Sequence, residues 1–150
     1  MRALIQRVNH ARVEVHGEII SSVSHGLLVL MGVSEGDGRA DAEYLVAKIA
    51  GLRIFSDELG KMNLSVKDVK GELLIVSQFT LYASTSKGHR PSFTRAAKPE
   101  AALELYNYFV HLMEESTQLK VSTGRFGAMM NINLENSGPV TIFIDSAMIE

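Results

Sequence analysis

Two short stretches of the chain combine residue types that could do chemistry. Ser77-Gln78-Phe79-Thr80 extends the apolar run Leu73 to Val76 with three polar side chains. Strand alternation would set Leu74, Val76, Gln78 and Thr80 on one face and Leu73, Ile75, Ser77 and Phe79 on the other. Both faces then turn polar at the strand's end. Buried polar groups need partners, so this polarity either satisfies loop backbone or lines a pocket, and the residues alone leave both readings open. The second stretch is Gly138-Pro139, followed directly by the strand-like run Val140 to Ile144. The bond before a proline has only about 0.5 to 1 kcal/mol of trans preference, so a fold can hold it cis, and glycine lets a ligand approach bare backbone. The pair reads as a turn between two strands or as a presenter of main-chain carbonyls.

A third pattern, Gly32-Val33-Ser34-Glu35-Gly36, matches the G-x-S-x-G outline of a nucleophile elbow and follows a strand. The elbow needs a helix starting at its serine, yet Gly36-Asp37-Gly38 intervenes. A turn punctuated by glycine is the better reading, and a serine esterase using Ser34 is the weaker alternative. There is no cysteine, which removes disulfides, thiol nucleophiles and cysteine zinc sites. The five histidines show no close ligand pairing, so the expectation is no metal and no cofactor. A net charge of −2 gives no global pull toward nucleic acid. Locally, Ser84 to Pro99 carries Lys87, Arg90, Arg95 and Lys98, with His89 and Phe93 among them and no acidic residue. Such a loop could grip phosphates while Phe93 packs or stacks; a solvated basic loop is the plainer alternative.

The elements that must position these groups follow from periodicity. Ala3 to Val15 and Ile19 to Val23 read as a hairpin turning at Gly17-Glu18. Leu27 to Val33 is continuously apolar, as expected of a strand buried on both faces. Ala42, Leu45, Val46 and Ile49 recur at helical spacing, with Asp41 and Glu43 in the first turn and Gly51 as a stop. Leu52 to Phe55 and Glu72 to Tyr82 read as strands joined by a loop containing Asp57, Gly60 and Asn63. Pro99 opens a second helix, whose stripe Ala102, Leu105, Phe109, Leu112, Met113 runs to about Glu115. Val121 to Thr123, Ala128 to Leu134 and Val140 to Asp145 read as strands, the last two separated by a Gly138-Pro139 turn. With 46% hydrophobic residues in 150, the expectation is one α+β domain: a largely antiparallel, barrel-like sheet packed with two main helices. The longest apolar stretch is far shorter than a membrane span, and Gln6 and Arg7 interrupt what would be a signal region, so a cytoplasmic protein is expected.

Taken together, Ser77-Gln78-Phe79-Thr80-Leu81-Tyr82-Ala83, Gly88-His89-Arg90-Pro91-Ser92-Phe93, Thr123-Gly124-Arg125-Phe126-Gly127-Ala128 and Gly138-Pro139-Val140-Thr141 resemble the D-aminoacyl-tRNA deacylase family. The opening Met1-Arg2-Ala3-Leu4-Ile5-Gln6-Arg7-Val8 and Gly26-Leu27-Leu28-Val29-Leu30 are similar too, and the likeness spans nearly the whole chain in order. The resemblance implies an enzyme that hydrolyses the ester between a D-amino acid, or glycine mischarged on tRNA-Ala, and the terminal ribose of tRNA, while refusing L-residues. It implies a homodimer with its active site at the subunit interface, an aminoacyl-tRNA partner, and neither DNA nor membrane. The Gly138-Pro139 peptide would be cis and enter the partner's pocket, its carbonyls holding the substrate's α-ammonium. Ser77, Gln78, Phe79 and Thr80 would form the catalytic wall beside the ester. Phe126 and Met130 would line the substrate, and Lys87, Arg90 and Arg95 would meet the tRNA. Many family members carry Asp before the Gly-Pro; this chain has Ser137.

Rigid carbonyls suit an ammonium, and an L side chain driven into the same backbone would be excluded. Two mechanisms fit the resemblance: attack by Thr80, or attack by water with N–H groups around Gln78 and Phe79 holding the oxyanion and the ribose 2′-hydroxyl assisting. No histidine stands near Thr80 in sequence to activate it, which favours water. A non-catalytic tRNA-binding module is the remaining alternative, resting on the basic loop and the lack of a conventional triad.

Overall fold

The computed structural model describes residues 1–148. The elements are β1 (Arg2–Val15), β2 (Glu18–Val23), β3 (Gly26–Gly32), α1 (Arg39–Gly51), β4 (Phe55–Ser56), β5 (Met62–Leu64), β6 (Glu72–Ser77), a 3-10 turn (Phe79–Tyr82), α2 (Pro99–Thr117), β7 (Val121–Thr123) and β8 (Asn131–Asp145). β1 is the spine of the main sheet. Along one edge its first half pairs with β3 and its second half with β2, and along the other edge it pairs with β8. These pairings are antiparallel, whereas β3–β6 and β6–β7 are parallel. The sheet order β2-β1-β3-β6-β7 bends back on itself, because the Ser21 hydroxyl of β2 donates to the Thr123 carbonyl of β7 at 2.7 Å. The result is a sheet nearly closed into a barrel with helices on its outside.

The two faces of β3 and β6 explain their unbroken apolar sequence. Leu27, Val29, Met31, Leu73 and Ile75 pack with Leu45, Ile49, Phe109 and Met113 of the helices. Leu28, Leu74 and Val76 point the other way, into a second cluster with Val8, Ala11, Val13 and Val23. Both helices begin as the sequence predicts. The Asp41 carboxylate accepts from the Gly38 N–H at 2.9 Å, capping α1, and Pro99 occupies the first turn of α2.

Three sequence expectations are corrected. The strand expected over Glu72 to Tyr82 ends at Ser77, and Phe79–Tyr82 forms the 3-10 turn, so alternation no longer sets the directions of Phe79 and Thr80. The stretch read as strand at Leu52 to Phe55, with its loop, is a small hairpin of β4 and β5 that takes in Asn63. The strands expected on either side of a Gly138-Pro139 turn are one element, β8, which carries the pair within it. β1 and β8 stay in register up to Gln6↔Thr141 and resume at Val8↔Asn136, so four residues of β8, 137–140, stand opposite Arg7 alone. The chain bulges there instead of turning back.

Candidate functional site

At the end of β6 the backbone changes from ladder to turn. Ser77 is the last residue paired with β3, and the Gln78 N–H still donates to the Met31 carbonyl at 2.7 Å. The turn then closes through Leu81 N–H to the Gln78 carbonyl (3.2 Å) and Ala83 N–H to the Thr80 carbonyl (3.0 Å). Among the described residues, neither the Phe79 nor the Thr80 N–H finds an acceptor. Two adjacent amide donors are therefore left without a protein acceptor at an exposed position. The Gln78 side-chain amide donates to the Thr80 hydroxyl. The Phe79 ring, 56% exposed, meets Phe93 edge-on with centroids 5.0 Å apart.

Phe126 and Met130 flank this end of the sheet. Phe126 lies 5.8 Å from the ring of Tyr106, whose buried hydroxyl donates to the Ile75 carbonyl at 2.8 Å. Burial pushes that hydroxyl up to about 12. The Ile75 carbonyl also accepts from the Gly124 N–H. Gly124 has no room to spare: a Cβ there would sit 2.7 Å from the Met130 sulfur and 3.5 Å from Val76. The structure thus brings Ser77, Gln78, Phe79, Thr80, Phe126 and Met130 to one end of β6 and β7.

Of the basic loop, Lys87 and Arg90 are exposed at the tip. Arg95 reaches back toward the Tyr82 ring at 6.0 Å. The Ser34 hydroxyl donates to the Arg95 carbonyl at 2.9 Å, a loop-fastening bond that gives Ser34 a structural occupation.

Gly138-Pro139 is elsewhere. Its peptide bond is cis, and Gly138 has φ of 121°, in the region glycine favours. Arg7 and Asn136 hold the bulge. The Arg7 guanidinium donates to the Ser137 carbonyl (3.2 Å) and the Ile54 carbonyl (2.6 Å). The Asn136 amide donates to the carbonyls of Arg7 (3.0 Å) and Val140 (2.9 Å). Gly138 and Pro139 are exposed and lie outside the β1–β8 ladder. Arg7 faces Leu27 and Leu27 faces Leu73, four residues short of Ser77. That register separates the bulge from Ser77 by about 13 Å along the strands and three strand spacings, about 14 Å, across them. One chain does not bring the two together.

The profile of the family described as D-Tyr-tRNA(Tyr) deacylase matches residues 4–145. The chain belongs to that family. Among its relatives, a D-aminoacyl-tRNA deacylase of Thermosipho melanesiensis is 56% identical over 149 residues, 99% of both chains. Another, from Aquifex aeolicus, is 57% identical over 149 residues, 99% of this chain and 100% of that one. A solved structure described as a c-Myc DNA unwinding element binding protein superposes with a TM-score of 0.93 at 41% identity, covering 97% of this chain and 98% of that one. A probable eukaryotic D-amino acid tRNA deacylase shares the fold at a TM-score of 0.82 and 16% identity, over 95% and 97% of the two chains.

Membership of the family turns attention to residues that sequence reasoning did not single out for the site. Arg7 was visible as a lone cation between the apolar residues Ile5 and Val8 of a buried strand, a signal of a specific partner. Asn136 carried no comparable mark, because asparagine before Ser-Gly-Pro reads as ordinary turn composition. Among the described residues no cluster of three or more His, Asp or Glu could hold a metal, and no helix is long and apolar enough to cross a membrane.

Proposed function

We propose that this protein hydrolyses the ester of D-aminoacyl-tRNA, and of glycyl-tRNA mischarged on tRNA-Ala, at a site completed by a second copy of the chain. The observation that carries the reading is complementary main chain at two separated places: N–H groups without a partner at Phe79 and Thr80, and exposed backbone outside the ladder at Gly138-Pro139. An aminoacyl ester needs both. Its carbonyl oxygen gains negative charge as it is attacked, and its α-ammonium needs acceptors. Family membership and the 56% and 57% identical deacylases support the choice of substrate.

Water attacks the ester carbon, and the Phe79 and Thr80 N–H groups hold the resulting oxyanion. Because the Gln78 N–H is committed to Met31, this reading takes Phe79 and Thr80 as the donor pair, in place of the groups around Gln78 and Phe79. Collapse breaks the bond to the ribose oxygen, which takes a proton with help from the neighbouring 2′-hydroxyl, and the free amino acid leaves. One such donor is worth about 10² to 10³ in rate, enough to matter for an already labile ester. Thr80 is exposed and accepts from Gln78, and it serves as a wall instead of a nucleophile. The Gly138 and Pro139 carbonyls of the second copy hold the ammonium, and an L side chain would be pressed into that backbone. Lys87, Arg90 and Arg95 meet the tRNA phosphates.

Deacylation of matched D-tyrosyl-, L-tyrosyl- and glycyl-tRNA tests the reading. Rapid release of D-tyrosine and glycine with L-tyrosine retained is expected. Binding of all three without release would establish the non-catalytic alternative.

A further inference from the structure

The 3-10 turn that carries Phe79 and Thr80 is only four residues long, and 3-10 hydrogen bonds are weakly directed. Arg2, at the start of β1, reaches the turn from another element. Its Nη1 donates to the Leu81 carbonyl at 2.8 Å, and its Nε donates to the Asp145 carboxylate at 2.8 Å. Its guanidinium lies 4.5 Å from the centroid of the buried Tyr82 ring. Asp145, at the end of β8, is buried, and its other oxygen accepts the Ala147 N–H. One planar fork thus joins β1, β8 and the turn.

We propose that Arg2, oriented by Asp145, is a positioning residue for hydrolysis: it grips Leu81 and Tyr82 and so sets where the Phe79 and Thr80 amides point. This rests on the deacylase reading above. The guanidinium makes two bonds in fixed, different directions, which a lysine ammonium on a flexible stem does not reproduce. Releasing the far end of the turn lets it pivot about Gln78, which remains tied to Met31. An oxyanion donor displaced by a fraction of its bond length loses most of its effect, while ground-state binding by the distant tRNA contacts is untouched.

The experiment compares Arg2→Gln, Arg2→Lys and Asp145→Asn in the full chain, using single-turnover deacylation of D-tyrosyl-tRNA and amide NMR of Phe79 and Thr80. Arg2→Gln should lower the saturated rate by about tenfold or more with KM within about twofold, and Arg2→Lys should recover only part of it. Asp145→Asn should fall between wild type and Arg2→Gln. In each slowed variant the Phe79 and Thr80 amide signals should shift and exchange faster. A wild-type rate with unmoved amides in Arg2→Gln overturns the proposal. So does an equal rate loss in a Val29→Ala core variant matched to the same melting temperature. A wild-type protein inactive on every aminoacyl-tRNA would sink the deacylase reading instead, and the amide signals would still decide whether Arg2 holds the turn.

Discussion

The Phe79–Tyr82 turn and the Gly138-Pro139 bulge are opposites in almost every respect. The turn ends a parallel-paired strand buried on both faces and offers N–H donors; the bulge interrupts a strand paired on one edge only and offers carbonyls. The turn is gripped by one cation from below, Arg2, and the bulge by another, Arg7, each donating to main-chain carbonyls. In the proposed site, neither place needs a charged side chain to meet substrate. A site that reads configuration from rigid main chain cannot be relaxed by a side-chain rotamer, which would suit the proposed refusal of the abundant L-substrates.

Perturbing each region separates their roles. The largest effect is expected from Gly138→Ala, since a Cβ there would lie 2.8 Å from Arg7 Nη2 and 2.9 Å from Val140 Cγ2, at a φ that L-residues avoid. D-aminoacyl-tRNA deacylation should drop by about 10²-fold or more, through misplacement at the reacting centre. A near-wild-type rate would remove the bulge from the site. Asn136→Ala strips two carbonyls of their donor, and should lower stability by about 1 to 3 kcal/mol in denaturant titration and loosen D-versus-L discrimination. Thr80→Ala leaves the amide pair in place and should cost less than about tenfold in single-turnover rate; complete loss with an intact fold would point to a covalent threonine.

The smallest effect concerns acid. Burial by itself would raise the Asp145 carboxyl, but the Arg2 hydrogen bond, the Ala147 amide and the Arg2 charge outweigh it and hold the group below its ordinary 3.8. A depressed carboxylate contributes stability that is complete above its unfolded value and drains away as pH falls through the folded one. Asp145→Asn should therefore flatten the acid limb of a stability profile below about pH 4, with little change in its shape near neutrality.

Much of this was legible in the chain. The helical spacing of Ala42, Leu45, Val46 and Ile49, Pro99 with the stripe to Met113, and the continuous apolar run at Leu27 gave both helices and the doubly buried strand, because burial on one or two faces writes directly into side-chain pattern. Phe79-Thr80-Leu81-Tyr82 did not reveal its turn, since β-branched and aromatic residues suit a strand equally, and the bonds that accompany the turn, Leu81 N–H to the Gln78 carbonyl and Arg2 to the Leu81 carbonyl, leave no mark on the local pattern. Gly138-Pro139 was recognisable as special, but punctuation predicts an end, and the ladder resumed beyond it because β1 is long enough to pair on both sides. The parallel pairing of β3, β6 and β7 left only the continuous apolar runs at Leu27 and Leu73, which report burial on both faces but not strand direction.

The separation of the bulge from the turn also has a genetic consequence. A copy carrying a blunted Gly138 and a copy with a misplaced turn would each be inactive when paired with themselves. Mixed, in the proposed two-copy arrangement, they would give a hybrid with both lesions on one site and the other site assembled from two undamaged halves. Two dead proteins would then complement each other, whereas the same two lesions placed in a single chain would not be rescued by pairing with itself.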